Sequence, residues 1–449
     1  MSPRVSSRLT LCVLAVGTLL WTPSVAQQRQ LTNNISDSRY YPFWSPDGRE
    51  IGSIDGDAGG LSIMDLDTRQ ERSLYSGNFG QHDWSPDGTR IAFRKYSGVP
   101  GVDQLYWITP LNGTWNPILA TPGGGLSPPV WTPDGAGLVY QRNTGSGDLI
   151  YKARVSNGQE TRLSTSRSDR FYPPTVDPLG EFATFVFAGS LIRVPLAGGG
   201  AEVILFPGGG LFPPMPWSPE GSALAMNVGP TPGTLRLYLI GRHGGSAAIT
   251  PSGVVSPSWS PDGEWLAVNS SLQGISVLDL ITGSTTPLGP GSPSAPLYVS
   301  PDGTEILYQA QDLRGIAQLF VVATRRAPVP APVGTRRVGS QLALALRSPG
   351  DAGLQYVLAA SFSKTPSIQV QGRPIPLAFD ALFVASLVFP QVFEGFQGVL
   401  DAAARATATI RIPAAPALAG LRFYVAFVTF DGAGLLRTVG GARPIILFP

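Results

Sequence analysis

Between residues 29 and 324 the chain alternates apolar and polar positions in short runs, and the runs return in a fixed order. Arg90-Ile91-Ala92-Phe93, Trp265-Leu266-Ala267-Val268, Leu61-Ser62-Ile63-Met64, Leu235-Arg236-Leu237-Tyr238-Leu239 and Thr161-Arg162-Leu163-Ser164 are examples. Period-two patterning over four to eight residues marks strands with one buried face. One tetrapeptide punctuates the runs: Ser45-Pro46-Asp47-Gly48, Ser85-Pro86-Asp87-Gly88, Thr132-Pro133-Asp134-Gly135, Asp177-Pro178-Leu179-Gly180, Ser218-Pro219-Glu220-Gly221, Ser260-Pro261-Asp262-Gly263 and Ser300-Pro301-Asp302-Gly303. Its prolines stand 40 to 47 residues apart. Trp44, Trp84, Trp131, Trp217 and Trp259 precede five of the units, and Val176 and Val299 the other two, so a large apolar side chain is demanded there.

Pro fixes φ at a turn's first central position and Gly supplies the positive φ that closes a hairpin, so each tetrapeptide joins two strands. A loop, a third strand, a second turn such as Ser156-Asn157-Gly158 and a fourth strand follow, which makes four strands per unit. A period near 42 residues with this content predicts the blades of an all-β propeller, seven in number. The seventh unit stops after Gln318-Leu319-Phe320-Val321. At the other end Arg29-Gln30-Leu31-Thr32-Asn33 matches the fourth strands, so the N-terminal segment is expected to complete that unit and close the ring. The units resemble those of the TolB family of secreted propellers. The resemblance covers about two-thirds of the chain and implies a fold, with relatives among peptidases, lyases and non-catalytic scaffolds.

The remaining expected divisions are a leader at 1–26, the propeller at 27–324, a Pro-rich linker at 325–340 and a β-sandwich-like region at 341–449. Strands are predicted there at Leu342–Leu346, Tyr356–Ala360, Ala381–Val384, Thr407–Ile412 and Phe423–Val428, with Ala402–Ala406 as a loop feeding a strand. The stretch Gly395-Phe396-Gln397-Gly398-Val399-Leu400-Asp401, with Ile412-Pro413 and Leu418-Ala419-Gly420, resembles a C-terminal module of secreted planctomycete-type proteins. Arg4 and Arg8, the apolar run Leu9–Leu20 and Pro23-Ser24-Val25-Ala26 have the order of a secretory signal peptide. The run is too short to span a bilayer. Periplasmic or extracellular residence in a bacterium follows, with no transmembrane span after cleavage.

Cys12, the one cysteine, lies in that leader, so the mature chain has no thiol for a disulfide, a metal or nucleophilic attack. Losing Arg4 and Arg8 leaves the 30 acidic residues matched by as many bases, which gives no general attraction to nucleic acid. Charged residues are 14% of the chain. A monomer is expected.

The acids Asp47, Asp87, Asp134, Asp262 and Asp302 are explained by turn chemistry, since Glu220 and Leu179 stand at the same place. The two histidines, His82 and His243, fall on opposite faces and have no partner at ligand spacing, so no metal and no cofactor are predicted. Asp55-Gly56-Asp57-Ala58-Gly59-Gly60 lacks the closing acid of a calcium loop. Gly123–Gly125 and Gly208–Gly210 have no helix after them to cradle phosphate. No Gly-x-Ser-x-Gly elbow occurs, and no catalytic residue is assigned.

The loops entering each inner strand converge at one mouth of the channel and are rich in Arg and aromatics. Arg39, Tyr40, Tyr41, Phe79, His82, Arg170, Phe171, Tyr172 and Phe212 form the predicted binding set. The expected function is a non-catalytic scaffold that binds a protein or peptide there, with a saccharide as the other ligand class. The alternative is a carbohydrate-active or hydrolytic enzyme using acids such as Asp37 and Asp169.

Overall fold

The computed structural model describes residues 28–33, 38–56, 59–77, 79–96, 103–120, 125–145, 147–167, 173–212, 214–231, 234–250, 254–270, 274–290 and 296–449. The expected leader lies outside them, as do Arg170, Phe171, Tyr172, Asp37 and Asp169.

Each part of the repeated turn has a use. In the first, Ser45 Oγ donates to Asp47 Oδ1 (2.6 Å), the Arg49 N–H donates to the same oxygen (3.1 Å), and the Glu50 N–H donates to Ser45 Oγ (2.9 Å). The hydroxyl-to-carboxylate bond recurs at 85/87, 132/134, 260/262 and 300/302 at 2.5 to 2.6 Å. In the fourth unit Asp177 Oδ1 takes the place of the hydroxyl, accepting from the Glu181 and Phe182 N–H groups at 2.8 and 2.6 Å. The closing glycine sits at φ between +68° and +76° in all seven turns. That left-handed region costs an L-residue about 1–2 kcal/mol.

The strands these turns join form seven four-stranded antiparallel sheets. In six the strands are consecutive, as in Arg39–Trp44, Glu50–Asp55, Leu61–Asp65 and Glu71–Tyr75. In the remaining sheet Leu297–Val299, Glu305–Gln311 and Ala317–Ala323 are completed by Gln28–Gln30, with Gln28 opposite Val322 and Gln30 opposite Phe320. Thr32 Oγ1 fixes this register by donating to Gln318 Oε1 (2.7 Å) and accepting the Leu319 N–H (3.0 Å). Arg29 also pairs with Glu305 at 3.1 Å.

The sheets close on one another through the same turns. A Cβ built on Gly48 would stand 3.6 Å from Pro301, on Gly88 3.7 Å from Pro46, on Gly135 3.9 Å from Pro86, on Gly180 4.0 Å from Pro133, on Gly221 3.4 Å from Pro178, on Gly263 3.6 Å from Pro219 and on Gly303 3.1 Å from Pro261. Every glycine therefore faces the proline of the preceding unit, and the first faces the last. The tryptophans add polar ties: the indole N–H of Trp44, Trp131 and Trp259 donates at 3.0 Å to the carbonyls of Tyr298 and Asp83, on inner strands of the neighbouring sheets, and of Pro216, just before the turn of the neighbouring unit. Apolar clusters fill the space between sheets, as where Ile54, Leu61 and Ile63 of one meet Trp84, Ile91, Phe93 and Ile108 of the next.

Residues 325–340, expected as a linker, hold the edge strand Ala331–Val333, which pairs with Gln341–Arg347. An edge position lets Pro332 lack its N–H donor without loss. Beyond it a four-stranded sheet (Ala331–Val333, Gln341–Arg347, Arg405–Arg411, Phe393–Glu394) faces a five-stranded one built on Gln355–Ser361 and Arg422–Phe430. Leu342, Leu344, Leu358, Ile410, Phe423 and Phe427 meet in one core between them.

One predicted strand is wrong: Ala381–Val384 belongs to an α-helix, Ala381–Val388. Its N-cap is Asp380, whose Oδ1 accepts the Phe383 N–H (2.9 Å) while Oδ2 accepts Ser361 Oγ (2.8 Å). Ser386 then receives the Ala360 N–H (3.0 Å) and ties the helix to the sheet. The continuous apolar run carries no periodicity to separate helix from strand, and the cap decides.

Two outcomes test the closure. Gly303→Ala should lower stability by about 1–2 kcal/mol in urea unfolding, from its φ of +76° and the crowding by Pro261. Deleting residues 28–32 should lower the melting temperature of the whole chain; a parent-like melt would refute the pairing.

Candidate functional site

The channel running through the ring has two unlike ends. At one end stand the tetrapeptide turns and the turns between third and fourth strands. The C-terminal part docks on this face, and the turn acids receive it. Asp134 uses Oδ1 within its own turn, leaving Oδ2 to pair with Arg337 at 2.6 Å. Asp302 does the same with Arg347 (3.2 Å), which also reaches Glu305 (3.2 Å). Arg405 meets Asp67 (3.0 Å) and Lys364 meets Glu264 (3.0 Å). Backbone bonds from Gly334 to Pro86 and from Val329 to Asp302, both 3.0 Å, complete the join. The carboxyl of Asp134 lies below its ordinary range: burial alone would raise it, and the bonds from Thr132 and Ala136 and the charge of Arg337 outweigh that.

Beside this join lies a cleft of about 1210 Å³ between the ring and the C-terminal part. Arg90, Lys152, Arg154, Arg337 and Arg422 line it against Asp134 and Glu181. Both carboxylates are already paired, with Arg337 and Arg242.

The other end of the channel is where the described members of the predicted binding set fall. Tyr40 and Tyr41 are 37% and 47% exposed, side by side at the start of an inner strand. Tyr41 adopts φ +49° at a bulge where the register slips between Tyr40 and Phe43, which turns its ring outward. Arg39 is otherwise placed: it is buried, paired with Asp55 and at 2.8 Å with Glu71, so its charge serves its own sheet. His82 also faces inward, its ring 3.7 Å from that of Phe43 on the neighbouring sheet. Burial pushes its pKa down to about 3 against backbone bonds with Gly80 and Tyr41, so the imidazole is neutral. Phe212 is half-buried in the inner strand Leu211–Phe212. Phe79 begins the strand Phe79–Trp84, opposite Lys95. His243 lies away from this mouth, 3.4 Å from Arg193.

Sequence reasoning missed Asp83, on the inner strand beside His82. Its Oδ2 accepts the Trp131 N–H (2.8 Å), and burial raises its pKa to about 7 against that bond. It also missed the docking arginines, although the pair Arg336-Arg337 in a proline-rich run is visible in the sequence. Among the described residues no group of three His, Cys, Asp or Glu side chains stands together as a metal site would require, and no helix is long and apolar enough to cross a membrane.

The arrangement is that of the β-propeller proteins. An oligogalacturonate lyase in complex with manganese superposes with a TM-score of 0.54 at 16% identity, over 67% of this chain and 94% of that one. The oligogalacturonate lyase of Vibrio parahaemolyticus gives 0.55 at 13% identity over the same shares. TolB from Acinetobacter baumannii aligns at 0.38 and 17% identity over 65% of each chain. At such identities the likeness to the lyases establishes the fold. No protein-family model and no curated protein matches the chain.

Arg347→Ala leaves Asp302 and Glu305 without their shared cation and should cost about 1–3 kcal/mol, read as a lower melting temperature and faster proteolysis within 325–340. Asp83 gives a pH signature. Its folded-state pKa is raised, so the folded chain holds the proton longer than the unfolded one, and stability falls as pH climbs from about 4 to about 7. Asp83→Asn keeps an acceptor for Trp131 and should flatten that decline in urea midpoints measured across the range.

Proposed function

We propose that the chain is an exported, non-catalytic seven-bladed propeller, closed by its N-terminal strand, that takes a protein or peptide at the open mouth of its channel. A TolB-like secreted relative with a propeller at 27–324 and a sandwich-like region at 341–449 fits this reading. The observation that carries it is the asymmetry of the channel. One face is covered by the C-terminal part, and the opposite mouth presents Tyr40 and Tyr41, whose rigid amphipathic rings bind partners at low entropic cost. Tyr41 holds a backbone conformation unfavourable for its residue type, as groups positioned for binding often do. The C-terminal part acts as a second interaction module. Phe379, Val384, Val388 and Phe389 stand exposed on and around its helix.

A second reading, an acid-dependent carbohydrate-active enzyme, is favoured by Asp83 alone, a carboxyl poised near neutral pH. One experiment separates the two. The immobilised chain should retain proteins from an envelope extract, and Tyr40→Ala/Tyr41→Asn should lose them with its melting temperature unchanged. Equal retention by both chains would sink the mouth assignment. Turnover of oligogalacturonate or another oligosaccharide, with or without manganese, abolished by Asp83→Asn, would replace binding with catalysis.

A further inference from the structure

The covered end of the channel holds a cavity of about 430 Å³, walled by turn prolines and by Trp217 and Trp259. Two arginines from the C-terminal part line it, Arg336 and Arg443. Neither forms an ion pair among the described residues. Arg336 lies over the Phe448 ring at 5.0 Å, and the buried Nε of Arg443 has no hydrogen-bond partner. Asp262 attracts Arg443 from beyond ion-pair distance, and Arg336 repels it. Burial brings both groups down to about 10, Arg443 with that repulsion added.

Two like charges lining one cavity, neither of them in an ion pair, are costly, because the attraction of Asp262 for Arg443 only partly repays their desolvation. The backbone nonetheless holds them there. Arg336 sits at φ +52°, fixed by the bond from Gly334 to Pro86 (3.0 Å) on one side and by the Phe448 N–H on its own carbonyl (2.8 Å). Ser258, also in the wall, accepts the Val299 N–H through Oγ (3.3 Å) and keeps its own proton to donate. A guanidinium's planar fork of N–H donors matches carboxylate, phosphate and sulfate oxygens two at a time. We propose that the capped end of the channel is a binding site for a small oxyanion, held between Arg336 and Arg443. This inference is independent of what binds at the open mouth.

The test uses the full chain and titrates sodium phosphate, sulfate and acetate against sodium chloride at equal ionic strength, followed by calorimetry and melting temperature. Saturable binding is expected for at least one oxyanion and not for chloride, and the acetate and phosphate arms tell a carboxylate ligand from a phosphate-type one. Arg443→Gln and Arg336→Gln should each weaken it roughly tenfold or more, the loss of one charge-assisted contact. Arg154→Gln, in the neighbouring cleft, should leave it unchanged. No saturable oxyanion binding by the parent, or equal affinity in Arg443→Gln, overturns the proposal. A measurement free of substitutions stands beside these: phenylglyoxal labelling mapped by mass spectrometry should show the preferred oxyanion shielding Arg336 and Arg443. Labelling of both at the same rate with and without the oxyanion also overturns it.

Discussion

The ring rests on a contact between two residues that carry almost no chemistry. In each repeated turn the glycine faces the proline of the unit before it, and the seventh proline meets the first glycine. A proline ring gives a flat apolar surface of fixed φ, and the glycine supplies the positive φ that closes each turn beside it; a Cβ there would stand at ordinary contact distance from the ring except at Gly303, where it would be crowded. The spacing of sheets around the channel is thereby set at the turn face, and the indole N–H bonds of Trp44, Trp131 and Trp259 repeat that spacing within the channel wall.

The acid between that proline and glycine has two oxygens with separate duties. One is consumed by the turn in every unit that has Asp there. The other faces outward, and at Asp134 and Asp302 it receives an arginine of the C-terminal part. A row of carboxylates that looks like a reactive ring thus becomes the seat of a neighbouring module. Single exposed pairs add little. Here several converge with backbone bonds and the half-buried Arg347, so the join is a geometric fit with charge as its register.

The units were legible in the sequence because their signal is local: Pro, Asp and Gly within four residues specify a turn wherever they occur. The fourth strand of the last sheet was legible because Arg29–Asn33 repeats a pattern seen elsewhere in the chain. Legibility ended where a residue's role depends on a partner distant in sequence. Arg39 and Tyr41 stand two residues apart in one motif, yet Arg39 turns to Asp55 and Glu71 and Tyr41 outward, because Tyr41 falls in the bulge between Tyr40 and Phe43. Asp380 fixes a helix that the apolar run after it leaves open. Nothing in the pattern around Arg336 or Arg443 tells that the two line one cavity.

Glu305 binds Arg29 from the first strand and Arg347 from the C-terminal part. Synthesis runs from the N-terminus, so Gln28–Gln30 waits for Ala317–Ala323 before it gains a neighbour, and its hydrogen-bonding edge stays open for most of the chain's production. Such long-range closure slows folding and leaves intermediates prone to intermolecular pairing. The same carboxylate also engages a third segment made later still, so one side chain ties the closing strand to the seated C-terminal part.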